Sequence, residues 1–177
     1  MEFALFDTAI GWVAVAWTET GIASVVMAEA TADSARAGMA KYRPDAVEAD
    51  PPAVVQAAIT RIAAHLAGEL DDLRDIALDL DDLSQWRQDV YAVLRSVDPG
   101  ETITYGEIAT RLGNPQAARE VGQAMGSNPV PLIVPCHRVL AADNKMGGFS
   151  APGGVTTKLK LLAIEGAATP EGQTSLF

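Results

Sequence analysis

Three short apolar runs near the N-terminus constrain this chain more than any other feature. Residues 2–6, 12–18 and 22–27 alternate or run apolar with β-branched and aromatic side chains, and Asp7-Thr8-Ala9-Ile10-Gly11 and Glu19-Thr20-Gly21 separate them as turns. Breaks this short join antiparallel neighbours, so the segment predicts a three-stranded antiparallel meander. A helix is expected over residues 31–42, stopped by Pro44. Asp50-Pro51-Pro52 opens a second, with Val54, Val55, Ala58, Ile59, Ile62, Ala63 and Leu66 on one stripe and Gly68 as its stop. His65 follows Arg61 by four residues and reads as a surface residue on the polar side. Residues 76–80 alternate like an edge strand inside an aspartate-rich segment. That segment lacks the central glycine of a calcium loop and reads as solvated. A domain boundary near Asp82 is expected, giving an N-terminal α/β domain over residues 1–83 and a second domain over 84–166.

The second half is helical. Ser84 can cap a helix that buries Trp86, Val90, Tyr91 and Leu94 and closes at Asp98-Pro99-Gly100. Thr104-Tyr105-Gly106-Glu107 has the spacing of a capping box and opens a helix through Leu112, ended by Gly113. Asn114 as cap and Pro115 at the first helical position predict an immediate restart that runs to Gly126. Two short helices joined by a tight Gly-Asn-Pro turn have the form of a helix-turn-helix. In that geometry the second helix enters a groove: its small residues Ala117, Ala118, Gly122 and Ala124 permit close approach, and Arg119 is the side chain that reaches.

Charge is unevenly distributed. The net charge is -10 over 177 residues, yet residues 1–83 hold 5 Lys/Arg against 15 Asp/Glu while residues 84–166 hold 8 against 7. A nucleic acid contact in the second half would therefore depend on a few placed cations and helix ends rather than a broad basic field. One cysteine excludes an internal disulfide. Cys136, His65 and His137 are too few for structural zinc, and no cofactor or metal is implied. With no visible signal sequence and no apolar run approaching the roughly 20 residues of a membrane span, the expectation is a reduced, cytoplasmic, monomeric protein without a membrane contact.

The one cysteine sits in Pro131-Leu132-Ile133-Val134-Pro135-Cys136-His137-Arg138-Val139-Leu140, where a β-branched run ends in proline and a thiol stands beside an imidazole. A thiol attacks as thiolate and needs a base, which a neighbouring histidine supplies directly or through a water. A small buried hydrophobe is the alternative reading of the same residue.

From Trp86 to Gly166 the sequence resembles the O6-alkylguanine-DNA alkyltransferases. The matching runs are Pro99-Gly100-Glu101-Thr102-Ile103-Thr104-Tyr105, then Gly113 to Gly122, Met125-Gly126-Ser127-Asn128-Pro129-Val130-Pro131, and Pro135-Cys136-His137-Arg138-Val139. The first half matches only in outline. The resemblance implies a mixed α/β (α+β) protein: a small ribonuclease-H-like N-terminal domain, then a helical, winged-helix-like domain carrying the helix-turn-helix. The implied activity is direct-reversal repair of double-stranded DNA. The alkyl group of O6-alkylguanine moves to the protein's own cysteine, irreversibly and once per molecule, and O4-alkylthymine is a second substrate within the family's scope.

The resemblance also implies roles. Cys136 is the nucleophile, His137 takes its proton, Glu165 holds the imidazole, Asn128 braces the network, and Tyr105 donates to the base as charge develops on the leaving oxygen. Arg119 fills the gap left by the flipped base, with Ala118, Gly122, Thr104, Tyr105 and Ser127 as the other DNA contacts. Val139, Phe149, Ser150 and Pro131 form the base pocket. Where many members have Tyr-Ser-Gly-Gly, this chain has Phe149-Ser150-Ala151-Pro152-Gly153-Gly154, a longer loop without the phenol.

The C-terminal Gln173-Thr174-Ser175-Leu176-Phe177 resembles the pentapeptide that binds the bacterial sliding clamp, with Gln173, Leu176 and Phe177 as its anchors. Two rival readings make different predictions. A non-catalytic sensor of alkyl lesions lacks the nucleophile that Cys136 supplies, and a cysteine hydrolase turns over many times where an alkyltransferase acts once.

Overall fold

A computed structural model gives the structure of residues 1–169. Residues 1–81 together with 129–133 cluster as one unit, and the other described residues form a second.

In the first unit the expected meander is present as β1 (Glu2–Thr8), β2 (Gly11–Trp17) and β3 (Ile22–Glu29), paired antiparallel in sequence order. Gly11, at φ +116°, turns β1 into β2, and the Thr8 hydroxyl donates to its carbonyl. Alternation along β1 divides the core. Phe3 and Leu5 join Ala14, Ala16 and Val26 against α1 (Ala32–Tyr42) through Ala35 and Met39. Ala4 and Phe6 face the other way and join Trp17 against Val55 and Ile59 of α2 (Ala53–Leu66). The sheet is thus covered on both faces, which is why its strands run nearly continuously apolar.

A fourth strand, β4 (Val47–Glu48), pairs parallel with β1 to give the order β3-β2-β1-β4. Two exposed residues carry no strand pattern of their own; the open edge of β1 makes the strand. The expected edge strand at 76–80 is reduced to one parallel bridge between Leu78 and Ile22, held by Ile22 N–H to the Ala77 carbonyl and Asp79 N–H to the Ile22 carbonyl. Aspartate side chains outcompete the ladder around it: the amides of Leu73 and Arg74 bond to Asp71 and Asp72. His65 is corrected by the same loop. It is 1% exposed, because its Nδ1 accepts from the Asp71 amide and the loop folds over the ring.

The second unit contains α3 (Gln85–Arg95), β5 (Ile103–Thr104), α4 (Tyr105–Arg111), α5 (Ala118–Gly126), β6 (Val139–Leu140) and α6 (Val155–Ile164). Ser84 caps α3 by accepting from the Arg87 amide. The capping box at α4 forms with both of its bonds, from Glu107 N–H to the Thr104 hydroxyl and from Thr104 N–H to the Glu107 carboxylate. The second helix of the pair starts later than expected. Asn114 N–H closes α4 on the Ala109 carbonyl and Gly113 N–H, at φ +74°, bonds to Thr110, the two bonds of a Schellman motif. Residues 115–117 form a turn rather than the first helical turn, so α5 begins only at Ala118, with Ala117 at its cap position and no side-chain cap. Tyr91 of α3 donates to the Ala124 carbonyl, and Arg87 donates to the Ser127 carbonyl, so α3 closes the far end of α5.

A Cβ placed on Gly21 would lie 2.5 Å from the Ala77 carbonyl oxygen and 2.8 Å from the Leu78 amide nitrogen. Neither backbone atom can rotate away, so Gly21→Ala is expected to destabilise by about 1–3 kcal/mol, the cost of overpacking, as a lowered urea midpoint.

Candidate active site

The run ending at Cys136 is not a strand. Leu132 has φ +76°, and Pro131 and Pro135 offer no N–H to a ladder. Pro135, at φ -80° and ψ 66°, makes an inverse γ-turn in which Cys136 N–H bonds to the Val134 carbonyl at 2.8 Å. A single 3-10 turn, Cys136–Arg138, follows and delivers the chain into β6, which pairs parallel with β5. The Asn128 amide donates to the Val134 carbonyl at 2.9 Å and its side chain also bonds to Cys136, so one residue fixes both the turn and the thiol.

The Cys136 side chain is buried, and burial pushes the thiol pKa up. The Asn128 bond, the charge of Lys158 and the backbone amides of Cys136 and His137 act against that shift.

Glu165, the cap at the end of α6, collects three partners. His137 Nε2 lies 2.9 Å from its Oε1, Arg138 Nη2 and Nε donate to Oε1 and Oε2 at 2.8 and 3.0 Å, and the Gly100 amide reaches Oε2 at 3.3 Å. All three side chains are at most 4% exposed. An ionised carboxylate only accepts, so His137 donates from Nε2 and, when neutral, carries its lone pair on Nδ1. The remaining Arg138 nitrogen, Nη1, donates to the Val97 carbonyl. Sequence reasoning assigned Arg138 no role. The available signal was a guanidinium inside the otherwise apolar run from Leu132 to Leu140.

Cys136 opens onto a cavity of about 260 Å³ lined by Tyr105, Gly122, Met125, Gly126, Gly148, Phe149 and Ser150. Tyr105 stands between α5 and the wall loop: its hydroxyl is 3.0 Å from where a Cβ on Gly147 would sit, and its ring is 3.9 Å from that of Gly122. Burial, and then the Cys136 charge, raise the Tyr105 phenol above its ordinary value. Of the four expected pocket residues, Phe149 and Ser150 line the cavity and the other two do not. Pro131 belongs to the 129–133 stretch of the first unit. Val139 is fully buried in β6, and its carbonyl accepts from Lys158 Nζ. Met125 and Lys158 were missed. Lys158 occupies a position three and four residues before the buried Leu161 and Leu162, which was a signal that it lies on the buried stripe.

Beside the cavity, Thr104, Tyr105, Gly106, Ala118, Arg119, Gly122, Ala141 and Ala142 line an open groove of about 410 Å³. Thr104, Tyr105, Ala118, Arg119 and Gly122 of the expected DNA contacts thus share one surface. Ser127 does not. It caps the far end of α5, its hydroxyl donating to the Gln123 carbonyl. Among the described residues no group of three or more His, Cys, Asp or Glu is placed to hold a metal ion. The arrangement supplies a thiol at the wall of a cavity and, next to it in the chain, a histidine oriented by a buried carboxylate.

Residues 85–167 match the family model described as 6-O-methylguanine DNA methyltransferase, DNA binding domain. The chain is 35% identical over 174 residues to the methylated-DNA--protein-cysteine methyltransferase of Mycolicibacterium paratuberculosis, covering 98% of both chains. The protein of the same name from Methanosarcina acetivorans is 34% identical over 167 residues, 94% of this chain and 99% of the relative. Among solved structures, Mycobacterium tuberculosis OGT in complex with DNA aligns with a TM-score of 0.78 at 35% identity, covering 97% of this chain and 96% of that one.

Removing Glu165 would leave Arg138 as a buried charge without its carboxylate. Glu165→Ala is expected to cost about 3–5 kcal/mol in urea unfolding, the range for breaking one side of a buried ion pair.

Proposed function

The chain belongs to the methylated-DNA--protein-cysteine methyltransferase family, which repairs DNA by moving an alkyl group onto a cysteine, and we propose that in this protein the acceptor is Cys136. The observation that carries this assignment is the position of the one cysteine, at the wall of the cavity and next to a histidine held by a buried carboxylate. Cys136 Sγ attacks the alkyl carbon on O6 of a guanine flipped out of the duplex. The S–C bond forms as the C–O6 bond breaks, the thiol proton passes to His137 Nδ1 directly or through a water, and the departing guanine takes up a proton at N1. Glu165 stabilises the imidazolium, and Asn128 holds the thiol and its turn. Tyr105 donates a hydrogen bond to the base as negative charge develops, which its undissociated phenol permits. The product is a thioether that water does not cleave, so each molecule acts once.

Double-stranded DNA containing O6-alkylguanine is the partner. α5 lies along the groove of the duplex with Ala118 and Gly122 against the backbone, Thr104 and Tyr105 beside them, and Arg119 in the vacated stack. The solved complex of the Mycobacterium tuberculosis relative with DNA supports this reading. O4-alkylthymine fits the same chemistry. A lesion sensor is not favoured, because a sensor has no use for the thiol and its oriented base. The strand order β3-β2-β1-β4 supports a ribonuclease-H-like N-terminal domain over residues 1–83, and the short β5–β6 pair beside the helices supports a winged-helix-like domain over 84–166. We read the protein as a cytoplasmic monomer.

Gln173, Leu176 and Phe177, the anchors of the clamp-binding reading, lie outside the described residues. Their order in the sequence supports a tether to the bacterial sliding clamp. A clamp pull-down is expected to lose most of its retained protein when residues 173–177 are deleted, and equal retention removes the tether.

Intact-protein mass after incubation with a duplex carrying one O6-methylguanine tests the main assignment. A gain of one methyl group per chain, saturating at one equivalent and absent in Cys136→Ala, is expected. Arg119→Ala should retain the stoichiometry while slowing transfer at least tenfold. Lesion-dependent binding without any mass change would sink the transferase reading.

A further inference from the structure

The proposed chemistry leaves one buried charge unused. Lys158, on the first turns of α6, is 0% exposed. A lysine in such a place must find acceptors, and it has two: Nζ donates to the Val139 carbonyl at 2.5 Å and to the Gly148 carbonyl at 3.5 Å. These carbonyls lie at the two ends of one excursion of the chain. Val139 opens β6 immediately after the Cys136 turn, and Gly148 adjoins Phe149 and Ser150 in the cavity wall. Between them the backbone has little regular structure of its own, only the 3-10 turn Ala142–Asn144, in which Asp143 and Asn144 have positive φ, and a bond from Ala141 N–H to the Lys145 carbonyl.

We propose that Lys158 is a positioning residue for alkyl transfer, its ammonium latching the cavity wall at Gly148 to β6 so that Phe149 and Ser150 stay opposite Cys136. The inference rests on the alkyl-transfer reading and adds to it the group that fixes the wall. Three observations are consistent with a latch rather than a packing residue. The lysine stem lies on the buried stripe of α6 with Leu161 and Leu162, so Nζ is carried to a fixed point. The charged group that acts on it is Cys136, and Tyr105 of α4 sets its hydroxyl at Gly147, one residue from the latched Gly148. Burial brings the Lys158 ammonium down to about 8, and the Cys136 charge opposes that fall. The same cation favours the Cys136 thiolate, so wall and nucleophile are served by one charge.

Lys158→Met tests this, because it keeps the length of the stem and removes the donors. The first readout is amide hydrogen exchange of the full-length protein without DNA. Exchange over residues 145–150 is expected to accelerate at least tenfold in the variant, with α3 and α5 unchanged. The second is single-turnover methyl transfer against duplex concentration. The maximal rate should fall at least tenfold while the duplex concentration for half-maximal rate changes less than threefold, and the ratio of wild-type to variant rates should shrink as pH rises through about 8. Lys158→Arg, which keeps charge and donors, should recover part of the exchange protection.

Wild-type exchange over 145–150 in Lys158→Met overturns the latch. So does faster exchange spread uniformly over the protein, which assigns Lys158 to stability alone. If the wild-type protein transfers no methyl group but the local exchange effect is present, the latch stands and the alkyl-transfer reading fails.

Discussion

The buried carboxylate of Glu165 is the contact on which the second unit depends. It sits at the end of α6 and binds, through its two oxygens, the imidazole of His137, the guanidinium of Arg138 and the amide of Gly100. Those partners come from two places distant in the sequence from the helix end: the Cys136 turn and the loop that precedes β5. A charge this deep is tolerated only because each lone pair is used, and the bidentate guanidinium supplies most of the compensation. Satisfying it forces the turn to present His137 and Arg138 on the same side, which leaves Cys136 facing the cavity. The tautomer of His137 follows from the same bond. One anion thereby orients the His137 ring, anchors the turn that carries Cys136 and docks the last helix.

Local rules were legible where one stretch of sequence satisfies its own backbone. The caps at Ser84 and Thr104 were readable because donor and acceptor lie within three residues of each other. The antiparallel meander was readable for the same reason, its turns being short enough to fix the partners. The failures came where a distant element decided. Val47 and Glu48 become a strand only because β1 has an open edge. His65 is buried by a loop whose path helical periodicity does not encode. At Asn114 the cap signal did not start a helix: residues 115–117 form a turn and α5 begins at Ala118.

The candidate site divides along the same line. Cys136 and His137 were singled out from residue type and from the family resemblance, and Tyr105, Asn128 and Glu165 from the resemblance alone. Pro131 and Val139, expected in the pocket from the resemblance, do not line the cavity: Pro131 belongs to the 129–133 stretch of the first unit, and Val139 is buried in β6 with its carbonyl on Lys158. Arg138 and Lys158 escaped notice because charged residues are ordinarily assigned to the surface, and both are among the largest fully buried side chains of the chain. In each case the clue was a cation on an apolar stripe.

The acidic first unit has a consequence for encounter with a polyanion. With 15 Asp/Glu against 5 Lys/Arg in residues 1–83 and near neutrality over 84–166, the field at long range is repulsive. On the proposed contact surface, attraction begins only within a Debye length of the groove that Arg119 lines, about 10 Å at 0.1 M salt. Added salt therefore has two opposed effects: it lowers the barrier to approach and weakens the contacts after arrival.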